Sequence, residues 1–234
     1  MTSHRADVVI FAVALAVFGL VGLALVWSGD WAYVGLAGAT GNTTVTFVIP
    51  PDRREACGQA IVMDLDRLRE VHREWAAYVV GVTPVPVGPA CSLFSRDEYA
   101  HMADVRGVFR GAETAAVLAL FVAGFRLWRA GTRGTALRLL RDGGLVSAVL
   151  VAAVGTVALL AFEPLFLLFH EVFFPRGNFL FDPATSNLVR LYPEWYWQGV
   201  TAGVGLSFIT LALVAAGSAH LVLRGRSTTY TRAA

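Results

Sequence analysis

Two histidines stand in settings suited to proton transfer, and each has a carboxylate close by. In Leu167-Leu168-Phe169-His170-Glu171-Val172-Phe173-Phe174 an imidazole and a glutamate interrupt a densely aromatic run. In Glu98-Tyr99-Ala100-His101-Met102-Ala103-Asp104 the aspartate follows the imidazole at i+3, so on a helix Asp104 can reach His101 and fix its tautomer or favour its protonated form. Histidine titrates nearest neutral pH of all side chains, and one held in a half-wet aromatic setting suits general acid and base work. The competing reading makes His170 an interface residue bonded to a nearby carbonyl, and makes His101 and Asp104 mere decoration of a helix.

The elements that must position these residues are membrane helices. The chain has 234 residues, 56% of them hydrophobic and 15% charged, with a mean hydropathy of +0.60, which is too apolar for a soluble domain of this size. Four windows, about Asp7 to Trp27, Val108 to Trp128, Leu145 to Pro164 and Gln198 to Leu223, match the roughly 20 residues that a bilayer crossing needs. The first lacks a small-x-small cleavage pattern and is too long for a signal-peptide core, so it reads as an uncleaved anchor. There is no lysine, and orientation rests on arginine. Arg129, Arg133, Arg138 and Arg141 between the second and third windows predict a cytoplasmic loop, and His4 with Arg5 and the tail arginines Arg224, Arg226 and Arg232 predict cytoplasmic termini. The formal charge of +2 reflects this topology and is no nucleic-acid signature.

The expected organisation is an anchor (1–27), an extracytoplasmic cap (28–107) and three further spans (108–234) that include a short extracytoplasmic aromatic loop (165–197). The expected fold class is an all-α membrane protein, four transmembrane helices with a small extracytoplasmic α/β cap. Counted back from Trp128, His101 falls some 7 residues, about 10 Å, beyond the hydrocarbon edge, and counted forward from Leu145, His170 falls roughly 5 residues, about 8 Å, beyond the same edge. The two imidazoles thus match in depth.

Within the cap, β-branched Asn42-Thr43-Thr44-Val45-Thr46-Phe47-Val48-Ile49, ended by Pro50-Pro51, reads as a strand. Met63 to Val80 reads as an amphipathic helix carrying Leu65, Leu68, Val71, Trp75 and Val79 on one face, with His72 assigned to the solvated face. Ser95 with Glu98 forms a capping box, and Phe94 with Tyr99 a hydrophobic staple, so a helix starts there and runs into the second span. Cys57 and Cys91, the only cysteines, both fall in the outer loop, and a disulfide between them would stabilise the cap by roughly 3 to 4 kcal/mol in the chain-entropy model. Two reduced, buried thiols are the alternative. Trp27, Trp31 and Tyr33, and later Tyr192, Trp195, Tyr196 and Trp197, fit an interfacial aromatic belt. The later group also fits a wall that orients a lipidic substrate, together with Phe169, Phe173 and Phe174. His220 sits near the inner end of the fourth span and reads as structural.

Phe94 through Arg106, Glu163 through Phe174, and Phe179-Leu180-Phe181-Asp182-Pro183 up to Tyr192-Pro193-Glu194 resemble the bacterial lipoprotein intramolecular transacylases. The resemblance covers most of the chain in order and spacing. It implies four spans under an extracellular cap and a reaction that moves the sn-2 acyl chain of a diacylglyceryl lipoprotein onto the α-amino group of its N-terminal cysteine, giving the lyso form. The family's two histidines fall on His101 and His170. Phe179 stands where a tryptophan is expected and Ser186 where an aspartate is expected, and the cysteine pair is not a family feature.

The residues suit that chemistry independently. An α-amine with a pKa near ~8 must lose a proton to attack an ester, and the departing glyceryl alkoxide must gain one. His101 and His170 supply both services, Asp104 and Glu171 support them, and no cofactor or metal is required. The expected partners are a diacylglyceryl lipoprotein and membrane lipid, with no nucleic acid, in the plasma membrane. Two other readings remain. One is a non-catalytic membrane scaffold or lipoprotein-binding protein of the same fold. The other is a metal-dependent membrane hydrolase built on His72, His101 and His170 with Glu98 or Glu171, against which Phe174 stands where a zincin pattern needs a histidine. Neither G-x-S-x-G nor a free-cysteine arrangement appears for a nucleophilic hydrolase.

Overall fold

The computed structural model describes residues 2–51, 54–85 and 93–231. In chain order the elements are α1 (Thr2–Trp27), α2 (Asp30–Thr40), β1 (Thr44–Val48), α3 (Arg54–Cys57), β2 (Ala60–Asp64), α4 (Leu65–Val79), α5 (Arg96–Arg129), α6 (Arg133–Leu160), α7 (Phe162–Phe173), α8 (Asn187–Leu191) and α9 (Glu194–Thr231). The chain divides into two compact units, one of 1–24, 112–160 and 202–234, the other of 25–111 and 161–201.

The first unit holds the apolar lengths of α1, α5, α6 and α9, the four helices among the described residues that are long and apolar enough to cross a membrane. A helix satisfies its own backbone polar groups, so it is the form a single apolar segment can take in lipid. Association rests on small residues that let backbones approach. A Cβ on Gly19 would lie 2.6 Å from the Phe208 ring, one on Gly144 would lie 3.2 Å from the Ala212 carbonyl, and the Phe11 ring covers Gly143. Asp7 of α1 pairs with Arg126 of α5, with Arg129 at 4.0 Å.

In the second unit β1 and β2 pair antiparallel, Thr44 opposite Asp64 and Val48 opposite Ala60. Their period-2 alternation buries Phe47 and Met63. Asp64 then caps α4, its carboxylate accepting from the Arg67 amide at 3.0 Å. The buried stripe of α4 is Leu68, Val71, His72, Trp75 and Val79. His72 therefore corrects the expectation of a solvated imidazole, because it belongs to the buried stripe and is 2% exposed. Tyr33 on α2 is likewise core, 1% exposed, where an interfacial belt residue was expected.

The capping box forms as expected. Ser95 N–H donates to Glu98 Oε2 at 2.7 Å, Glu98 N–H donates to Ser95 Oγ at 3.2 Å, and the Phe94 and Tyr99 rings lie 6.1 Å apart. Glu98 does more than cap. Its Oε1 accepts from Ser186 Oγ at 2.6 Å and from Leu188 N–H at 2.7 Å, which ties the start of α5 to α8. Asn187 completes the tie by donating to Val48 O and Leu93 O and accepting from Val48 N–H. Cys57 ends α3, and there is no free cysteine among the described residues; Cys91 lies outside them.

Candidate functional site

His101 lies in the second turn of α5, in a stretch where Arg96, Asp97, Glu98, Asp104 and Arg106 precede the apolar length that begins at Val108. His170 lies on α7, which exists because the third apolar window breaks. Pro164 lacks an amide hydrogen and its ring would strike the carbonyl of Leu160, so α6 ends there and α7 restarts with Pro164 in its first turn, where no amide partner is needed. The count of residues from Leu145 to His170 therefore runs through a break in the helix. After α7 the chain reverses at Phe174-Pro175-Arg176-Gly177, a turn closed by Gly177 N–H to Phe174 O at 2.9 Å. Pro175 presets the turn, and Gly177 at φ 72° takes a conformation that a side chain disfavours. The turn delivers Phe179 and Phe181 back to the histidines and Asn178 to Asp104.

The two imidazoles lie near-parallel, at 19° with centroids 6.1 Å apart. Phe174 sits against both, 4.7 Å from His101 and 5.4 Å from His170. Phe181 closes on His101 at 5.6 Å, while Phe166 and Phe179 close on His170 at 4.3 and 5.2 Å. Phe169 and Phe173 lie on the exposed side of α7, and Glu171 is exposed.

His170 Nδ1 is 2.7 Å from the Phe166 carbonyl. A carbonyl only accepts, so Nδ1 carries the hydrogen and Nε2 keeps its lone pair. His101 is 6% exposed, and its Nδ1 is buried without a hydrogen-bond partner among the described residues. Burial, then the neighbouring His170, holds the His101 pKa down at about 4 against the opposing charge of Asp104. Burial also lowers His170, opposed by its bond to Phe166. At neutral pH both rings are therefore neutral, and each has the capacity to take up a proton.

Asp104 does not bond His101. Its Oδ1 accepts from Arg176 Nη2 and its Oδ2 from Asn178 Nδ2, both at 2.6 Å, so it acts on His101 through charge alone. Tyr192 and Trp195 gather elsewhere, around Tyr33 and His72: the Tyr192 hydroxyl is 3.1 Å from His72 Nδ1, and the Trp195 ring is 6.0 Å from Tyr33. His72 is engaged on its other side too, Nε2 lying 3.1 Å from Ser28 O, so the triad of His72, His101 and His170 does not assemble. Among the described residues no group of three His, Cys, Asp or Glu side chains converges as metal ligands. Sequence reasoning missed Phe166, Arg176 and Asn178. The Pro-Arg-Gly turn signal was present, but it marks a reversal without saying what the reversed chain meets.

The family model described as lipoprotein intramolecular transacylase Lit matches residues 54–197, more than half of the chain and both histidine segments. Among solved structures, the in meso structure of the membrane-integral lipoprotein intramolecular transacylase Lit from Bacillus cereus is similar at a TM-score of 0.69 and 18% identity, covering 97% of this chain and 99% of that one. A form of the same Bacillus cereus protein with a histidine-to-alanine mutation is similar at a TM-score of 0.67 and 16% identity, covering 97% and 96%. A third, with histidine changed to arginine, is similar at 0.66 and 17%, covering 97% and 95%. No curated protein matches the chain in sequence. These likenesses show a shared fold, and the family match over 54–197 carries the assignment: the chain belongs to the lipoprotein intramolecular transacylase family.

Proposed function

We propose that this protein moves the sn-2 acyl chain of a diacylglyceryl lipoprotein to the α-amino group of the lipoprotein's N-terminal cysteine, with His101 and His170 as the proton-transfer pair. The observation that carries the reading is the juxtaposition of two neutral imidazoles, 6.1 Å between centroids, inside a cage of phenylalanines. His170 is the base, because its Nδ1–H is committed to Phe166 O and Nε2 is the nitrogen with a free lone pair. In the scheme a bond forms between the α-nitrogen and the acyl carbon while an amine proton passes to Nε2 of His170. The bond from the acyl carbon to the sn-2 oxygen then breaks, and the pair returns a proton to that oxygen. One proton leaves the amine and one reaches the glyceryl oxygen, so no cofactor enters the balance. Phenylalanine rings that exclude water favour the amine over hydrolysis and offer an apolar bed to an acyl chain.

Phe169, Phe173 and Phe174 are the proposed lining, Asp104 a charge that supports His101, and Glu171 an exposed neighbour that supports entry. Tyr192 and Trp195 serve as lining only if the substrate reaches the Tyr33 cluster. The cap is proposed to lie outside the cell with both termini cytoplasmic, on the arginines of 129–141, and Cys57 and Cys91 are proposed to pair there. The deciding experiment is mass spectrometry of a diacylglyceryl lipoprotein incubated with the purified protein. The expected product is a lyso, N-acylated terminus, and an unchanged diacylglyceryl terminus with folded protein would leave a lipoprotein-binding scaffold as the better reading. Cysteine reporters in the loop 129–141 that label from outside would overturn the topology, and free thiols at Cys57 and Cys91 in protein made in an oxidising compartment would overturn the disulfide.

A further inference from the structure

We propose that Asn178 seats the nucleophilic α-amine of the lipoprotein substrate, held for that task by Asp104; this rests on the transacylase reading above. Asp104 as a carboxylate only accepts hydrogen bonds, so the 2.6 Å contact with Asn178 must be made by the amide nitrogen of Asn178. That fixes the amide flip and turns its carbonyl oxygen away from Asp104. Asn178 Oδ1 is then buried without a partner, and so is Nδ1 of His101, one helical turn before Asp104 on α5. Unpaired buried polar atoms are costly, and two of them, one on His101 and one on the amide bonded to Asp104 a helical turn away, point to a ligand that satisfies them. Arg176 Nη2 on the other oxygen of Asp104, at 2.6 Å, holds the carboxylate in place.

The chemistry of the nucleophile fits what is left open. An amine that attacks an ester carries more than one N–H. One proton must go to an imidazole, and another N–H needs an acceptor that cannot itself take the proton. An amide oxygen meets that need, because it accepts a hydrogen bond yet is far too weak a base to protonate at neutral pH. Bonding there aims the nitrogen lone pair, and aligned lone pairs are where much of the advantage of a bound nucleophile lies. Water entering the same cage would be seated less well, so Asn178 also sets the balance between transfer and hydrolysis. Asn178 is thus a substrate-binding residue and Asp104 a positioning residue.

The test uses the full chain in detergent or lipid discs with a synthetic diacylglyceryl-cysteinyl peptide, and counts two products by mass spectrometry: N-acylated lyso peptide and fatty acid released to water. Asn178→Ala is expected to lower transfer by about tenfold, the worth of one good hydrogen bond, while release to water persists, so the ratio of transfer to hydrolysis falls. Asp104→Ala, which frees the amide to flip, moves that ratio in the same direction by less. In binding, the wild-type protein should prefer the peptide with a free α-amine over a des-amino peptide by several-fold, and Asn178→Ala should lose the preference. Loss of both products in one proportion, or a wild-type protein indifferent to the amine, would overturn the assignment. If Asn178→Ala does not fold, the wild-type preference and Asp104→Ala decide the matter. A wild-type protein that makes no N-acylated product would instead sink the transacylase reading.

Discussion

His72 and the pair of His101 with His170 occupy the same compact unit, are buried or, for His170, half-buried, and have pKa values shifted downward. They differ in what their nitrogens touch. His72 uses both, one with the Tyr192 hydroxyl and one with Ser28 O, and it stacks on Tyr33 at 4.7 Å. His101 leaves Nδ1 unpaired, and His170 spends Nδ1 on a carbonyl and keeps Nε2 open. A buried imidazole with both nitrogens satisfied is a strut, since any proton movement would break a bond it already has. One with a nitrogen left over has hydrogen-bonding capacity that the folded chain does not use, and a substrate can. Burial and a shifted pKa alone do not separate the two cases; partner accounting does.

The largest expected effect tests the open side of that contrast. His101→Ala and His170→Ala should each lower lyso-lipoprotein formation by at least about 100-fold, and the double variant should lose little beyond either single one, because members of one proton-transfer unit are not additive. Their melting transitions should stay near wild type. Additive, mild losses would reduce both residues to interface decoration.

The satisfied side predicts the reverse pattern. His72→Ala leaves the Tyr192 hydroxyl and Ser28 O without their partner and opens a cavity beside Tyr33, and should cost roughly 3 kcal/mol of stability. Turnover per folded molecule should change little. A folded His72→Ala protein with lost turnover and an unshifted melting transition would place His72 in the chemistry.

Acid should bring out what the two sides share, the cost of protonating a buried imidazole. Burial holds folded His72 at about 4, against roughly 6.5 when unfolded. Between those values the unfolded chain binds the extra proton, so this contribution is full above about 6.5 and is lost as pH falls toward 4. Melting followed from pH 7 to pH 5 should therefore fall in wild type and fall less in His72→Phe. Equal slopes would show that another group carries the acid sensitivity.

The smallest effect sharpens how the open site is held. Ser186→Ala removes the hydroxyl that donates to Glu98 Oε1 and caps α8 through Val189 N–H, and should cost about 1 to 2 kcal/mol with turnover retained in the folded fraction. An unchanged melting transition would mean that Ser95 N–H and Leu188 N–H suffice to hold Glu98.

The sequence by itself determined what depends on short-range pattern. Four apolar lengths specify the membrane-crossing helices, the alternation from Thr44 to Val48 specifies β1, and Ser95 with Glu98 specifies the start of α5, because each is a matter of spacing along one local segment. It also yielded His101 and His170 as a pair, through their aromatic and acidic neighbours and a family likeness. Only tertiary structure decided where the remaining hydrogen-bond capacity went. His72 sits on α4, where its stretch reads as amphipathic, and it became a strut because a hydroxyl 120 residues away in the chain arrives at its ring. Asp104 stands one turn from His101, yet its oxygens are taken by Arg176 and Asn178, brought back by a turn closed at Gly177. Spacing sets which partners are within reach; which partner wins is a competition among all the donors the fold assembles, and that is not written in any one segment.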